Sequence, residues 1–565
     1  MAKDISYSDG NIELYIEKLL REATDLSSAT NIASDKYNNW PIRYHLSSVR
    51  RNSVCHLNFE GLNVLELGAG MGAISRFIAE KANHLTVVEG TQQRFNCLKL
   101  RLRDLKNWDG FVCNYQDFKT DIKYDVVCFF GVLEYAGRYI KNESPFVWAI
   151  KHAKEFLKPD GVLLISIENK NGIKYFSGIS EDHYGKSFYG LCGYSEIPDI
   201  KTFSKKEMTE ILTGCGFASV ETHHLAPDYK CTRAVLTDEF VLKNPIIAAE
   251  IETNYFSEDY GLKSSRLFPE RLAMNSLAKS GILEHFSNSY LFIASNSVLS
   301  TTKEKLLSRV INEGVQGFLY TYGRKNDVVT EIIHKNEEYY TTKRYLNSDN
   351  IKETSDIFSN CFSKEPLYKG ESLSWLLLNY AYYGNEKAFL DLLDRFFEFV
   401  FEKFSVENSS VLQSIAIDAV AKNVKILNGE FINFDNEYCP NFEIRRNYFI
   451  FRTLVNIADY FIYLEHFQFN SLNDYYVELC KRYNDTPDLK SNIMQEIAFQ
   501  YAVTGGGDQF EDYEKVFNKP LNKNQSKEIC FLGIRIGSVT VQDSKYKIKI
   551  FGIKFTYKRK ESIDD

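Results

Sequence analysis

GLNVLELGAGMGAISRFIAEKANHLTVVEGT, residues 61–91, holds an apolar run, a glycine turn, an amphipathic segment and a second apolar run that ends on an acid. Asn63 to Leu67 suits an interior parallel strand, and Gly68, Gly70 and Gly72 let the backbone turn tightly beneath a ligand with no Cβ in the way. The spacing is G-x-G-x-G rather than the G-x-G-x-x-G that seats a pyrophosphate over a helix N-terminus. A carboxylate, Glu66, lies inside the strand end. An acid there repels a pyrophosphate and suits a cation.

S-adenosylmethionine carries an ammonium and a sulfonium and no phosphate, and this segment resembles the class I methyltransferases. That resemblance implies donor-binding roles for Glu66, Gly68, Gly70 and Gly72. Leu85 to Val88 then reads as a second strand presenting Glu89, which either holds both ribose hydroxyls or is an exposed loop acid. Gly110 to Tyr115 resembles the third strand, which puts Asp117 against the adenine amino group and Phe118 against the ring. Tyr124 to Tyr135 reads as the fourth strand running through its C-terminal edge, where open α/β sheets bind ligands. Glu134 and Tyr135 there either face the transferred methyl or simply open the next helix. Helical spacing over Phe146–Leu157, a turn at Lys158–Gly161 and a strand over Val162–Ile167 complete an α/β, Rossmann-like, doubly wound pattern.

The loop that follows is long, aromatic and glycine-rich, as loops beside a ligand edge often are. Glu168-Asn169, Gly172, Tyr175, Gly178, Glu181-Asp182-His183 and Gly193-Tyr194 resemble bacterial methyltransferases of the O-antigen and capsule type. The likeness continues in Thr202–Phe217 and Ala226–Lys230, and upstream in Trp40-Pro41, Tyr44-His45-Leu46 and Arg50. It implies a glycan, nucleotide-sugar or lipid-linked sugar acceptor and polysaccharide-assembly enzymes as partners. For a hydroxyl acceptor, His183 flanked by Glu181 and Asp182 is the candidate base, with His45 as the other. For a phosphate acceptor no base is needed, and Arg50, Arg51 or Lys186 would matter more.

The second half begins near Leu306 with three expected antiparallel strands, 317–322, 328–334 and 339–345, followed by helices over 373–404. Lys343, Asp418, Asn423 and Asp435 fall in the order of a kinase's phosphate-gripping Lys, acceptor-orienting Asp and two magnesium ligands. This part resembles the kinase and aminoglycoside-phosphotransferase superfamily, implying an α+β domain that takes ATP and Mg2+ at Asn423 and Asp435 if active. The departures are plain: no His precedes Asp418, Asn-Glu follows Asp435, and no glycine-rich loop is evident. The expected division is a methyltransferase domain with a helical lead at 1–240, a connecting extension at 241–305, a kinase-like domain at 306–470, and a helical segment with a basic tail at 471–565. Gly505–Gly507 reads as a hinge. The tail, Tyr546–Lys560, alternates apolar and basic residues and suits docking on anionic lipid or a partner's sheet edge, or an ordinary terminal strand.

At 565 residues two or three domains are expected. Lys plus Arg number 68 against 75 Asp plus Glu, a net charge of −7 that offers no field for nucleic acid. The 36 Tyr and 41 Phe fit carbohydrate stacking but owe more to compositional bias. The 11 cysteines are scattered singly, which predicts neither a zinc site nor a disulfide framework and suits a reduced cytoplasm. No signal pattern or spanning run is read, so the expectation is a cytoplasmic protein, at most peripheral at the inner face of the membrane.

Overall fold

The computed structural model describes residues 9–194, 199–255, 257–260, 266–321, 324, 326–346, 355–407, 409–464, 467–504, 512–521, 526–531, 534–542, 545–550 and 553–558, the last four stretches by backbone alone. The chain divides into two units, residues 1–351 with 364–367, and residues 352–363 with 368–565.

The first unit is built on one large sheet. Its strands are β1 (Asn63–Leu67), β2 (His84–Glu89), β3 (Trp108–Val112), β4 (Tyr124–Phe130), β5 (Leu157–Glu168), β6 (Ser219–Ala226), β7 (Ala234–Thr237), β8 (Ser289–Ser295), β9 (Val315–Tyr320), β10 (Val328–Lys335) and β11 (Glu338–Tyr345). Their order is 11-10-9-7-6-8-5-4-1-2-3, with a two-residue strand at Glu365–Pro366 beyond β11. β3, β2, β1, β4 and β5 are parallel, and β8 joins β5 antiparallel. Order reverses between β1 and β4, which opens a crevice at their C-terminal ends. The apolar runs Val64–Leu67 and Val126–Phe130 are buried because helices cover both faces: α3 (Ser75–Lys81) and α4 (Gln92–Arg101) on one, with α1 (Ile12–Glu22) and α2 (Trp40–Leu46) packed on α4, and the helices Pro145–Glu155 and Lys205–Gly214 on the other.

Several expectations are corrected here. The third strand ends at Val112 rather than Tyr115. The expected turn at 158–161 forms the irregular start of β5, with a register shift before Val162. The segment 241–305 is no mere connection, since β8 within it is buried along its whole length between β5 and β6. The strands expected to open a new domain near Leu306 are antiparallel as read, but β9 pairs with β7 and extends the first unit's sheet. Phe318 and Tyr320 share a core with Val64, Leu85 and Leu98.

The second unit packs helices Leu373–Tyr382, Glu386–Phe404, Arg446–Asn456, Leu472–Arg482 and Leu489–Thr504 around an aromatic core that includes Phe389, Phe396, Phe397, Phe449, Tyr475 and Phe499. The expected boundary at 471 is absent among the described residues, because helices on both sides of it share that core. Cys361 and Cys439 are disulfide-bonded, against the reading of unpaired cysteines. Cys361 directly follows the strand Phe358–Asn360 and Cys439 lies within its antiparallel partner Tyr438–Pro440, a pairing that brings the two sulfurs together. Strands at 526–531, 534–542, 545–550 and 553–558 form an antiparallel sheet, so the expected basic tail is a hairpin. The side chains that would dock it, and the expected hinge at 505–507, lie outside the described residues. Among the described residues no helix is long and apolar enough to cross a membrane.

Candidate functional site

A cavity of about 300 Å³ opens at the crevice between β1 and β4. Its floor is the glycine turn after β1. Gly68, Gly70 and Gly72 have φ of +79°, +57° and +78°, which side chains with a Cβ rarely adopt. A Cβ on Gly68 would lie 2.6 Å from Val132 Cγ2, whereas one on Gly70 would enter open space inside the cavity. Glu89, at the end of β2, binds the turn: its carboxylate accepts from Gly70 N–H at 2.8 Å and from Thr91 N–H at 3.0 Å. Glu66 lines the cavity with Oε2 buried and, among the described residues, without a hydrogen-bond partner, and burial pushes its carboxyl up to about 8. Asp117 is exposed and Phe118 is packed against Phe111 and Phe156, so neither reaches the cavity. Because β3 ends three residues early, Asn114, Tyr115 and Gln116 stand there instead.

The opposite wall comes from the turn after β4, the long loop after β5, the segment after β6 and Tyr260. Tyr135, Asp182, His183, Tyr229, Lys230 and Tyr260 line it. His183 Nδ1 pairs with Glu181 Oε1 at 2.9 Å, Nε2 lies 3.8 Å from Glu134 Oε1, and the ring meets Tyr135 edge-on at 5.3 Å. Burial would lower the imidazole's pKa, but Glu168, Glu134 and Glu181 outweigh it and raise it to about 10. His183 is therefore held as an imidazolium near neutral pH, which corrects its expected role as a free base. Glu134 is fully buried behind the cavity lining, and its carboxyl is pushed upward by that burial.

His45 also lines the cavity but belongs to a different cluster, with Nε2 3.0 Å from Asp9, which in turn pairs with Arg94 of α4. Burial holds it neutral, lowering it to about 4. Arg50 stacks on Tyr44 at 4.0 Å and donates from Nη1 to the Lys230 carbonyl at 2.9 Å. Arg51 is buried 3.5 Å from Asp327 and Lys186 is exposed; neither lines the cavity.

Sequence reasoning assigned no role to Lys230 or Gly131. Lys230 Nζ bonds both Glu168 and Asp182, a pairing across 62 and 48 residues that no local spacing encodes. Gly131 (φ +72°) has no room for a Cβ, which would lie 2.4 Å from Tyr229 Oη. A glycine directly after an apolar strand was the available signal.

In the second unit Asn423 Nδ2 donates to the Asp418 carbonyl at 3.0 Å, and Val424–Leu427 and Glu430–Asn433 form the expected hairpin. The Asp418 carboxylate is buried and accepts from Glu437 and Tyr438 N–H at 2.6 and 2.8 Å. Asp435 follows with φ +60°. Lys343, expected to join them, lies on β11 in the first unit's sheet.

Residues 65–163 match a family model described as a methyltransferase domain. The first unit carries a class I S-adenosylmethionine-dependent methyltransferase domain. Among curated proteins, the chain is 26% identical over 157 residues to the mitochondrial ubiquinone biosynthesis O-methyltransferase of Dictyostelium discoideum, covering 25% of this chain and 46% of that protein. It is 26% identical over 149 residues to (S)-coclaurine N-methyltransferase of Thalictrum flavum subsp. glaucum, covering 26% of this chain and 39% of that one. The chain thus spans less than half the length of either relative. Similar solved structures include the N-methyltransferase NodS from Bradyrhizobium japonicum WM9 in complex with S-adenosyl-L-homocysteine, at 20% identity and TM-score 0.20, covering 28% of this chain and 74% of that one.

Proposed function

We propose that the protein transfers a methyl group from S-adenosylmethionine to an oxygen of a sugar or sugar phosphate during bacterial surface-polysaccharide synthesis. The observation that carries the donor half is the acidic cradle: Glu66 and Glu89 converge on a positive-φ glycine turn that leaves open space at Gly70. Such a cradle favours an onium donor over a phosphorylated one, because a carboxylate attracts the first and repels the second. The acceptor half is supported by the likeness of the long loop to glycan-modifying methyltransferases and by its polar, aromatic wall. In-line transfer leaves the S–C electron pair on sulfur while the C–O bond forms. A phosphate oxygen brings its own charge, and a hydroxyl sheds its proton to water at the cavity mouth. Positioning then supplies most of the acceleration.

The test is titration with S-adenosylmethionine, followed by mass spectrometry of surface glycans from a strain lacking the protein. Loss of one methyl increment supports the reading; an unchanged glycan in that strain, when the purified protein binds the donor, would overturn the glycan acceptor.

For the second unit we propose a kinase-like scaffold without phosphoryl transfer, one that binds glycan or assembly enzymes. The burial of the Asp418 carboxylate on two backbone amides supports this over an ATP- and magnesium-using site. ATP consumption with a glycan acceptor that disappears in Asp435→Ala would instead support a bifunctional kinase and methyltransferase. A cytoplasmic location, with peripheral contact through the C-terminal hairpin, accompanies this reading.

A further inference from the structure

We infer that Glu134, Glu168 and His183 form a divalent cation site in the wall of the cavity, one that takes an ion accepting mixed oxygen and nitrogen ligands. One donor atom from each lies within 4.8 Å of the other two. Ligands on opposite sides of an ion with bonds of roughly 2.1 Å stand about 4.2 Å apart, so the three side chains need close by only about half an ångström to grip one ion.

Three features point to an ion rather than to an acidic cluster alone. Glu134 is 0% exposed, yet among the described residues neither carboxylate oxygen has a hydrogen-bond partner. Glu168, also 0% exposed, accepts from Lys230 Nζ at Oε1, and its Oε2 has no hydrogen-bond partner among the described residues. Buried carboxylate oxygens are costly when left so, and a cation satisfies them. His183 is oriented as metal-binding histidines are: Nδ1 is taken by Glu181 at 2.9 Å, which fixes the ring and turns Nε2 toward Glu134 at 3.8 Å. That separation suits two ligands of one ion, which on binding would displace the proton that Nε2 otherwise carries.

The local charge agrees. Among the described residues, Glu134, Glu168, Glu181, Asp182 and Asp228 gather around the ammonium groups of Lys174 and Lys230 and the imidazole, with the Arg50 guanidinium near Asp228. His183 also lines the cavity, so an ion on Nε2 would stand next to it. There it would hold an acceptor oxygen, of a phosphate or of a sugar hydroxyl. That consequence rests on the methyl-transfer reading, whereas the ion site itself stands on the geometry.

The probe is Mn2+, titrated into the full-length protein and followed by the electron paramagnetic resonance signal of the free ion, in parallel with S-adenosylmethionine titration. We expect Mn2+ affinity to fall at least about tenfold in Glu134→Gln and in Glu168→Gln and to hold in Asp435→Ala, with donor binding kept as the check on folding. No Mn2+ binding by the unaltered protein, or binding lost only in Asp435→Ala, would overturn the proposal. Donor binding without Mn2+ binding refutes the ion site alone, and Mn2+ binding without donor binding refutes the methyl-transfer reading alone.

Discussion

Glu89 Oε2 accepts a hydrogen bond from Gly70 N–H at 2.8 Å, tying the end of β2 to the glycine turn that follows β1. One carboxylate thus shapes the cradle and also lines the cavity. Glu89→Ala should weaken S-adenosylmethionine binding about ten- to a hundredfold, the range for losing charge-assisted hydrogen bonds. Calorimetric titration reads this directly, and unchanged affinity would show that Glu89 serves the turn only.

Gly70 and Gly68 should respond differently to added side chains. At Gly70 a Cβ meets nothing within 4 Å, so Gly70→Val should fold at a backbone cost of at least about 1–2 kcal/mol, since a β-branched residue rarely adopts positive φ, yet lose donor binding. At Gly68 the Cβ would collide with Val132, and Gly68→Ala should lower stability by about 1–3 kcal/mol through overpacking. Thermal melts with parallel titrations separate the two. Wild-type affinity in Gly70→Val would relocate the donor.

Donor affinity should depend on pH through Glu66. Its carboxyl, raised to about 8 by burial, carries a proton near neutrality before the donor binds. A positively charged donor favours the carboxylate, so binding below pH 8 expels that proton. Affinity should therefore rise with pH, by up to about tenfold per unit below 8, and level off above it. Glu66→Gln should flatten the profile.

Asp418→Ala should destabilise the second unit by about 1–3 kcal/mol, because two buried amides lose their acceptor. Denaturant unfolding checks this. Little loss of stability, coupled with loss of ATP consumption, would favour the catalytic reading.

The parallel core was legible because Val64–Leu67, the three glycines and Glu89 each carry a local signal: period, turn geometry and charge. What escaped was non-local. The run Tyr290–Ala294 is continuously apolar and could be helix or strand by period alone; only its pairing with both β5 and β6 makes it an interior strand. Asp117 and Phe118 fall outside the cavity because β3 stops at Val112, and strand ends are weakly encoded. Lys230 and Glu168 meet only because β5 and the segment after β6 converge.

The annexation of β9, β10 and β11 by the first unit decides where the protein can be divided. Cutting after residue 305 would strip the free side of β7 of its hydrogen-bonding neighbour and remove Val315, Phe318 and Tyr320 from the interior they fill. The remnant would present a bare strand and a greasy hollow to solvent, a recipe for self-association and recovery in insoluble material.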